Sequence, residues 1–314
     1  MPLVLQPSWL GRRVTVRRAL RRDPTGRLLF GDVVGDLIGL NDQLAVIETR
    51  TGPVEVPVGV IAVAKLAPPS SAEELAVEEI VARGWRSEET ERLGGWLLRA
   101  AGGFTGRANS VLPLRAPGVP LDDALAAAAQ WYRARGLPLK FQLPTESRRL
   151  LDAELAERGW PASPDIHVMT ARLDLLITAD GRRDVQFGTA PSLPWLALYR
   201  AGGGQEAAAR GILTRHPNVV FATIESDGET VAIGRGTVDD EWLGVTAVEV
   251  AAANRRSGLA RTVMHALWQW GADRGARRTH LEVSSDNLAA LALYEGLGYH
   301  THHFYRYRTE PAET

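Results

Sequence analysis

The chain has 314 residues, too many for one ordinary domain, so two or three units are expected, each able to bury its own core. Apolar residues make up 45% and charged residues 23%, the balance of a folded chain, which argues against long disordered stretches. A formal charge of −1 excludes a protein that coats nucleic acid or acidic membrane with its whole surface, and the lack of cysteine excludes disulfides, thiolate zinc sites and a cysteine nucleophile.

No run approaches the roughly 18 apolar residues of a membrane span, and a cysteine-free chain fits a reducing compartment, so a cytoplasmic protein without membrane contact is expected. The first expected unit, residues 8–67, reads as short strands: "RRVTVRRAL", "LLFGDVVGDLIGL", "QLAVIET" and "GPVEVPVGVIAVAKL". Val14 and Val16, then Val54, Val56 and Val58, alternate with period two, and "DPTG", "LND" and "RTG" are turn chemistry. This small all-β unit resembles an SH3-like barrel. Its basic run sets Arg12, Arg13, Arg17, Arg18, Arg21, Arg22 and Arg27 against a single acid, Asp23. A solvated face accounts for it, and it also suits phosphate, so weak nucleic-acid or protein contact is expected through this unit. The linker "APPSSAEE" follows, with a helix predicted from Ser71 by the capping-box spacing Ser71 to Glu74.

The rest of the chain repeats itself. A shift of 139 places lays Gln130, Trp131, Arg135 and Gly136 on Gln269, Trp270, Arg274 and Gly275, and Gly159 and Trp160 on Gly298 and Tyr299. Amphipathic helices with glycine caps would explain the glycines but not the Gln-Trp pairs. Both copies, residues 75–175 and 184–308, alternate strand and helix, which predicts an α/β layer with crossover connections.

In the second copy "WLGVTAVEV" reads as a strand and "LARTVMHALWQWGADRG" as a helix, with Leu259, Val263, Leu267 and Trp270 on one face. "AAANRRSG" lies between them. A glycine before a helix lets backbone approach a ligand, and the free N–H groups of the first turn attract anions. Arg255, Arg256 and Arg261 add charge, so the stretch suits a pyrophosphate. Neither a P-loop nor a G-x-G-x-x-G dinucleotide loop is present here.

What the stretch resembles is the acyl-coenzyme-A signature of the GNAT superfamily, [Q/R]-x-x-G-x-[G/A], matched by Arg255, Gly258 and Ala260. Downstream, Glu282 on a strand, Asn287 at a helix start, Tyr294 and the ending "GLGY" resemble the second half of the GNAT core, and the resemblance covers residues 184–308. It implies a mixed sheet with flanking helices and acetyl-CoA as co-substrate, with no metal. By the same resemblance, the backbone of Arg256, Ser257, Gly258, Leu259, Ala260 and Arg261 would bind the pyrophosphate. The strand with Val248 and Val250 would pair with the pantetheine arm, which Asn287 would also contact. The first copy departs at each diagnostic place, having Ala116, Val119, Leu121 and Leu155 where the second has Arg255, Gly258, Ala260 and Tyr294. It resembles a degenerate GNAT half, kept to form the cleft or to complete the sheet, since a single strand, "HHFYRYR", follows the last helix where the family usually has two. The whole layout resembles actinobacterial acetyltransferases described as histone-acetyltransferase-like.

The resemblance implies acetyl transfer to a primary amine, of a protein or of a small molecule. For a lysine-like amine of pKa about 10.4, deprotonation at pH 7 costs roughly 4.6 kcal/mol, so a base matters. Glu282 is the first candidate base and Glu249 the reserve, while Tyr294 is the candidate general acid. An ordinary reading of Glu282 is an acid paired with a nearby arginine such as Arg278. A backbone N–H near Val250 would polarise the carbonyl, and loops such as "GGFTG" and "DDEW" would build the substrate side. His300, His302 and His303 cluster in "YHTHHF", but with no acid nearby in sequence, and with alternation setting His303 apart, they do not read as a zinc site. A rival reading is a non-catalytic adaptor that senses acyl-CoA while its barrel binds protein or nucleic acid.

Overall fold

The computed structural model describes residues 5–177, 185–199 and 206–311, so the expected start of the last unit at residue 184 lies outside the described residues. The chain divides into two compact units, Met1–Pro69 and Ser70–Thr314.

The first unit is an antiparallel sheet of β1 (Arg13–Arg22), β2 (Leu28–Leu40), β3 (Leu44–Thr49), β4 (Gly52–Pro57) and β5 (Ile61–Leu66), in the order β4-β3-β2-β1-β5. Alternation drives it: Val14, Val16, Leu37, Ala45, Ile47, Val56 and Ala64 are buried together, and the residues between them face outward. Asp23 closes the β1–β2 turn, its Oδ1 accepting from the N–H groups of Thr25 and Arg27. Leu20 and Phe30 remain exposed beside the arginines of this hairpin.

The second unit opens with α1 (Ser71–Gly84), then β6 (Glu89–Leu93), β7 (Trp96–Ala100) and β8 (Leu112–Pro113), which pair as a small antiparallel sheet. The capping box is Ser70 with Glu73, one residue earlier than the spacing Ser71 to Glu74 predicts. Either serine has an acid three residues on. Capping at Ser70 leaves Glu74 on the buried side, where it accepts the backbone N–H of Ser147 at 3.0 Å. There follow α2 (Leu121–Arg133), β9 (Lys140–Pro144), α3 (Arg149–Glu157), β10 (Ile166–Arg172), α4 (Leu173–Leu176), β11 (Gln186–Gly188), α5 (Leu193–Leu198) and α6 (Glu206–Thr214). The chain continues through β12 (Val219–Ser226), β13 (Glu229–Asp239), β14 (Trp242–Val250), α7 (Leu259–Ala272), β15 (Arg278–Ser284), α8 (Leu288–Gly296) and β16 (His300–Thr309).

Eight strands form one sheet in the order β11-β12-β13-β14-β15-β10-β16-β9. The two copies of the repeat therefore share it by exchange. The last strand of the first copy, β10, pairs with β15, and the last strand of the second, β16, pairs with β9. Where β10 and β16 meet, Ile166 faces Tyr305, and these are the same position of the repeat, 139 apart. Paired equivalents mark a local two-fold axis. The repeated residues also do the same work. Arg135 lies 3.6 Å from the Trp131 ring centroid and Arg274 lies 4.3 Å from that of Trp270. The helix ends match too, Trp160 N–H donating to Leu155 O and Tyr299 N–H to Tyr294 O.

On one face of the sheet α7 packs Val263, Leu267 and Trp268 against Leu243, Val245 and Leu281. The helix sits close because Gly234 lies beneath it, where a Cβ would fall 2.5 Å from Val263 Cγ1. The opposite face carries Trp242, Val168 and Tyr305 against Val77 and Val81 of α1.

Candidate functional site

β14 and β15 are parallel and pair at Trp242–Arg278, Leu243–Thr279 and Gly244–His280 only. Both strands continue, to Val250 and Ser284, so beyond Gly244 and His280 they part and leave facing backbone groups without a ladder partner. The sequence departs from regular strand at this point. Between β13 and β14 the register moves from Arg235–Thr246 to Ile233–Glu249, one extra residue on β14, and Ala247 within it takes φ 55°. Such a bulge bends its strand and raises the twist, and a left-handed alanine costs about 1–2 kcal/mol. The result is a gap between two strands of one sheet, opening where their ladder ends at Gly244 and His280.

β14 delivers the chain from that gap to the start of α7. Gly258 is the residue before the helix, at φ 84°, with no side-chain cap, and an added Cβ would meet no atom within 4 Å. Thr262 N–H is the first to find a helical acceptor, Gly258 O, so the N–H groups of Leu259, Ala260 and Arg261 have none in the helix. Arg255, Arg256 and Arg261 stand exposed around them, and Ser257 Oγ donates back to Asn254 O. Val248 and Val250 lie just upstream, half-buried against the α7 core. This is an open cradle for an anionic group, with backbone donors, room and positive charge together. Its counterpart in the first copy lacks these features: Pro120, which has no N–H to offer, stands before α2, and no arginine takes the place of Arg255 at Ala116.

Tyr294 and Glu282 sit on opposite faces of the sheet. Tyr294 packs against the α7 core, its ring 6.0 Å from that of Tyr299, and its hydroxyl has no hydrogen-bond partner among the described residues. Burial pushes its phenol up to about 12. Tyr299 is tied down instead, accepting from Trp268 Nε1 at 2.9 Å and bonded to Thr279 Oγ1 at 2.9 Å. Glu282 projects to the α1 face with His280, where its carboxylate is 3% exposed and meets the guanidinium of Arg107. The partner is thus not Arg278, which lies over the Trp242 ring at 5.7 Å. A strand turns successive side chains to opposite faces, so Arg278 shares the face of Glu282 but stands four residues away along it. Glu249 faces Ile233 across the ladder and is half-buried. Asn287 caps α8, its Oδ1 accepting from Ala290 N–H at 3.1 Å.

His303 departs from the sequence reading. The register of β16 slips between Val168 and Met169, so His302 and His303 come together, Nδ1 to Nδ1 2.8 Å, rather than being set apart by alternation. The acid that the sequence does not place nearby comes from α1: Glu78 Oε1 lies 2.9 Å from His303 Nε2, and Gln142 Nε2 donates to the other oxygen.

Burial and the charge of Arg107 push His280 down to about 3, with its Nδ1 buried and without a partner among the described residues. The unfolded chain takes up that proton near pH 6.5, so between about 6.5 and 3 it binds a proton the fold refuses, and stability falls as pH falls through this range. His280→Gln is expected to flatten this part of a plot of urea midpoint against pH; an unchanged slope would remove His280 as a source of it.

Residues 71–308 match the family described as "Probable histone acetyltransferase Rv0428c C-terminal". The chain belongs to the GNAT superfamily. Among curated proteins it is 33% identical over 324 residues to "Probable histone acetyltransferase Rv0428c" of Mycobacterium tuberculosis, covering 96% of both chains. It is 30% identical over 241 residues to "Uncharacterized N-acetyltransferase YobR" of Bacillus subtilis, covering 73% of this chain and 96% of that one. Among solved structures it shares its fold with a GCN5-related N-acetyltransferase from Kribbella flavida, at TM-score 0.55 and 18% identity over 79% of this chain and 98% of the other. A tandem GNAT protein from the clavulanic acid biosynthesis pathway aligns at TM-score 0.53 and 14% identity, over 79% of this chain and 91% of that one. This GNAT protein is accordingly an acetyltransferase, and the adaptor reading, which leaves out turnover, does not stand. No helix among its described residues is long and apolar enough to cross a membrane.

Proposed function

We propose that this GNAT protein transfers an acetyl group from acetyl-CoA to a primary amine, R–NH2 + CH3CO–SCoA giving R–NH–COCH3 + HS–CoA. The observation that carries the reading is the pairing of an open anion cradle at Gly258 with a parted β14–β15 gap leading away from it. The residues present fit the donor. The N–H groups from Arg256 to Arg261 and the three arginines would hold its pyrophosphate, and the unpaired edge of β14 at Val248 and Val250 would hold the amide-bearing arm. Asn287, with its amide N–H2 free of any protein acceptor among the described residues, is available to the same arm. Acetyl-CoA supplies the activated thioester carbonyl.

Glu282 takes the proton from the ammonium, directly or through one water, and Glu249 is the reserve for this role. The amine nitrogen forms the N–C bond as the C–S bond breaks, and the second proton it then sheds replaces the one that Tyr294 gives to the sulfur. Tyr294 holds the proton for the departing sulfur, and its raised pKa of about 12 keeps that proton in place at neutral pH. A free N–H on the parted edge of β14 near Val250 polarises the carbonyl. In this reading the acid and the base approach one bond from the two faces of the sheet, at the gap where β14 and β15 part. The N-terminal unit stands outside this chemistry. With nine basic and six acidic residues in positions 1–69, and an exposed Phe30, we assign it a binding role toward a protein or nucleic-acid partner.

Calorimetry with acetyl-CoA is expected to give saturable, one-to-one binding, and release of free CoA thiol is then followed over a panel comprising spermidine, a lysine peptide and a peptide with a free N-terminus. Binding with thiol release from one amine class supports the reading. Absence of binding overturns it.

A further inference from the structure

We infer that Arg107, contributed by the first copy of the repeat, is a positioning residue for the base of the second. The inference rests on the proposed role of Glu282. Arg107 follows the loop "GGFTG" between β7 and β8, on a stretch the repeat comparison marks only as degenerate. Its guanidinium meets the Glu282 carboxylate and lies over the Trp85 ring, 4.6 Å from the centroid. Trp85 is itself fully buried and anchored by its Nε1–H to Thr105 Oγ1 at 3.0 Å, so the platform under Arg107 is rigid. Arg235 occupies the neighbouring approach to the same ring, 5.1 Å from its centroid, held by the carbonyls of Leu213 and Gly84. Arg107 is thereby confined between an indole and a carboxylate.

Glu282 needs such a partner. Both of its oxygens are buried and accept no hydrogen bond of ordinary geometry among the described residues, where Arg107 is what compensates its charge. A lone buried carboxylate takes up a proton and ceases to be a base, whereas an adjacent guanidinium favours the charged form by about one to three pH units. The other groups around the pair do not replace Arg107. His280 on the same strand is neutral, pushed down to about 3. Tyr305 and Tyr307 of β16, within electrostatic reach of Arg107, are raised by burial and stay protonated. Arg235 of β13, pushed down to about 9 by burial and by Arg107, titrates only at the alkaline edge. On the same side Glu78 of α1 is engaged by His303 and Gln142, and Glu249 of β14 is an acid and cannot stand in for a guanidinium.

The test compares Arg107→Gln and Arg107→Lys with the parent chain. Selective carbon-13 labelling of glutamate, with the Glu282 signal assigned from Glu282→Gln, follows that carboxylate against pH and requires neither donor nor acceptor. In Arg107→Gln its titration is expected to move up by about one to three pH units, and in Arg107→Lys to stay near the parent value. With acetyl-CoA and the amine turned over fastest, the acidic limb of kcat/KM should move by the same amount. On the acid side of the displaced limb, turnover then falls about tenfold for each pH unit by which the limb has moved, with donor affinity unchanged and partial rescue by lysine. An unmoved Glu282 titration overturns the inference even if acetyl-CoA binds. A moved titration with an unmoved rate profile overturns its catalytic part. Failure of donor binding is read separately, by calorimetry, and strikes the proposed function instead.

Discussion

Gly258→Glu is expected to abolish saturable acetyl-CoA binding while leaving the protein folded. A side chain at φ 84° is strained by about 1–2 kcal/mol, but its Cβ meets no atom within 4 Å, so it enters without displacing a neighbour there. What changes is the cradle. A carboxylate placed where the first-turn N–H groups face a pyrophosphate sets like charges against each other. At about 4 Å and an effective dielectric of about 20 this costs about 4 kcal/mol per pair of unit charges, roughly a thousandfold in Kd. Gly258→Asn is the control, because asparagine tolerates the left-handed region and brings no charge. Calorimetry decides: retained binding by the glutamate variant, with the asparagine variant also binding, would place the anion elsewhere.

Tyr294→Phe is expected to lower turnover by about a hundredfold, the lower end of what a positioned general acid contributes, with donor affinity unchanged. The ring packs against the α7 core and the hydroxyl bonds to no protein group among the described residues, so its removal leaves the fold's hydrogen bonding intact. The pH dependence follows from the direction in which burial moves the phenol. An acid raised to about 12 keeps its proton across the working range, so an alkaline limb below about pH 10 belongs to another group. Equal turnover in the phenylalanine variant, measured as thiol release with the same amine, would falsify the assignment.

Local chemistry is legible in the sequence and long-range pairing is not. The Gly258–Leu259 boundary follows from a glycine between a strand-like and a helical period, and the Trp131–Arg135 and Trp270–Arg274 stacks from matched spacing. Spacing alone puts the capping box one residue late, because Ser70 and Ser71 each precede an acid by three, and only burial of Glu74 chooses between them. Alternation misjudges His302 and His303, since a bulge depends on the partner strand. Arg107 carries no signal: its partner stands 175 residues away, and no period links a loop to a strand of the other copy. The exchange of β10 and β16 is legible only in part: the single strand after the last helix says that the sheet needs completing from the first copy, but a strand pattern states that a segment pairs, not with what.

That exchange has a genetic consequence. Two-fold strand swapping is the geometry of a dimer of identical chains, in which a single gene writes both copies and any change appears twice. Joined in one polypeptide, the copies are released from that identity. One loop keeps Gly258, while its counterpart holds Pro117, Val119 and Pro120, a divergence no homodimer could encode. The same freedom lets a single Arg107 of one copy face a single Glu282 of the other, an asymmetric pair where a homodimer would hold two equal ones.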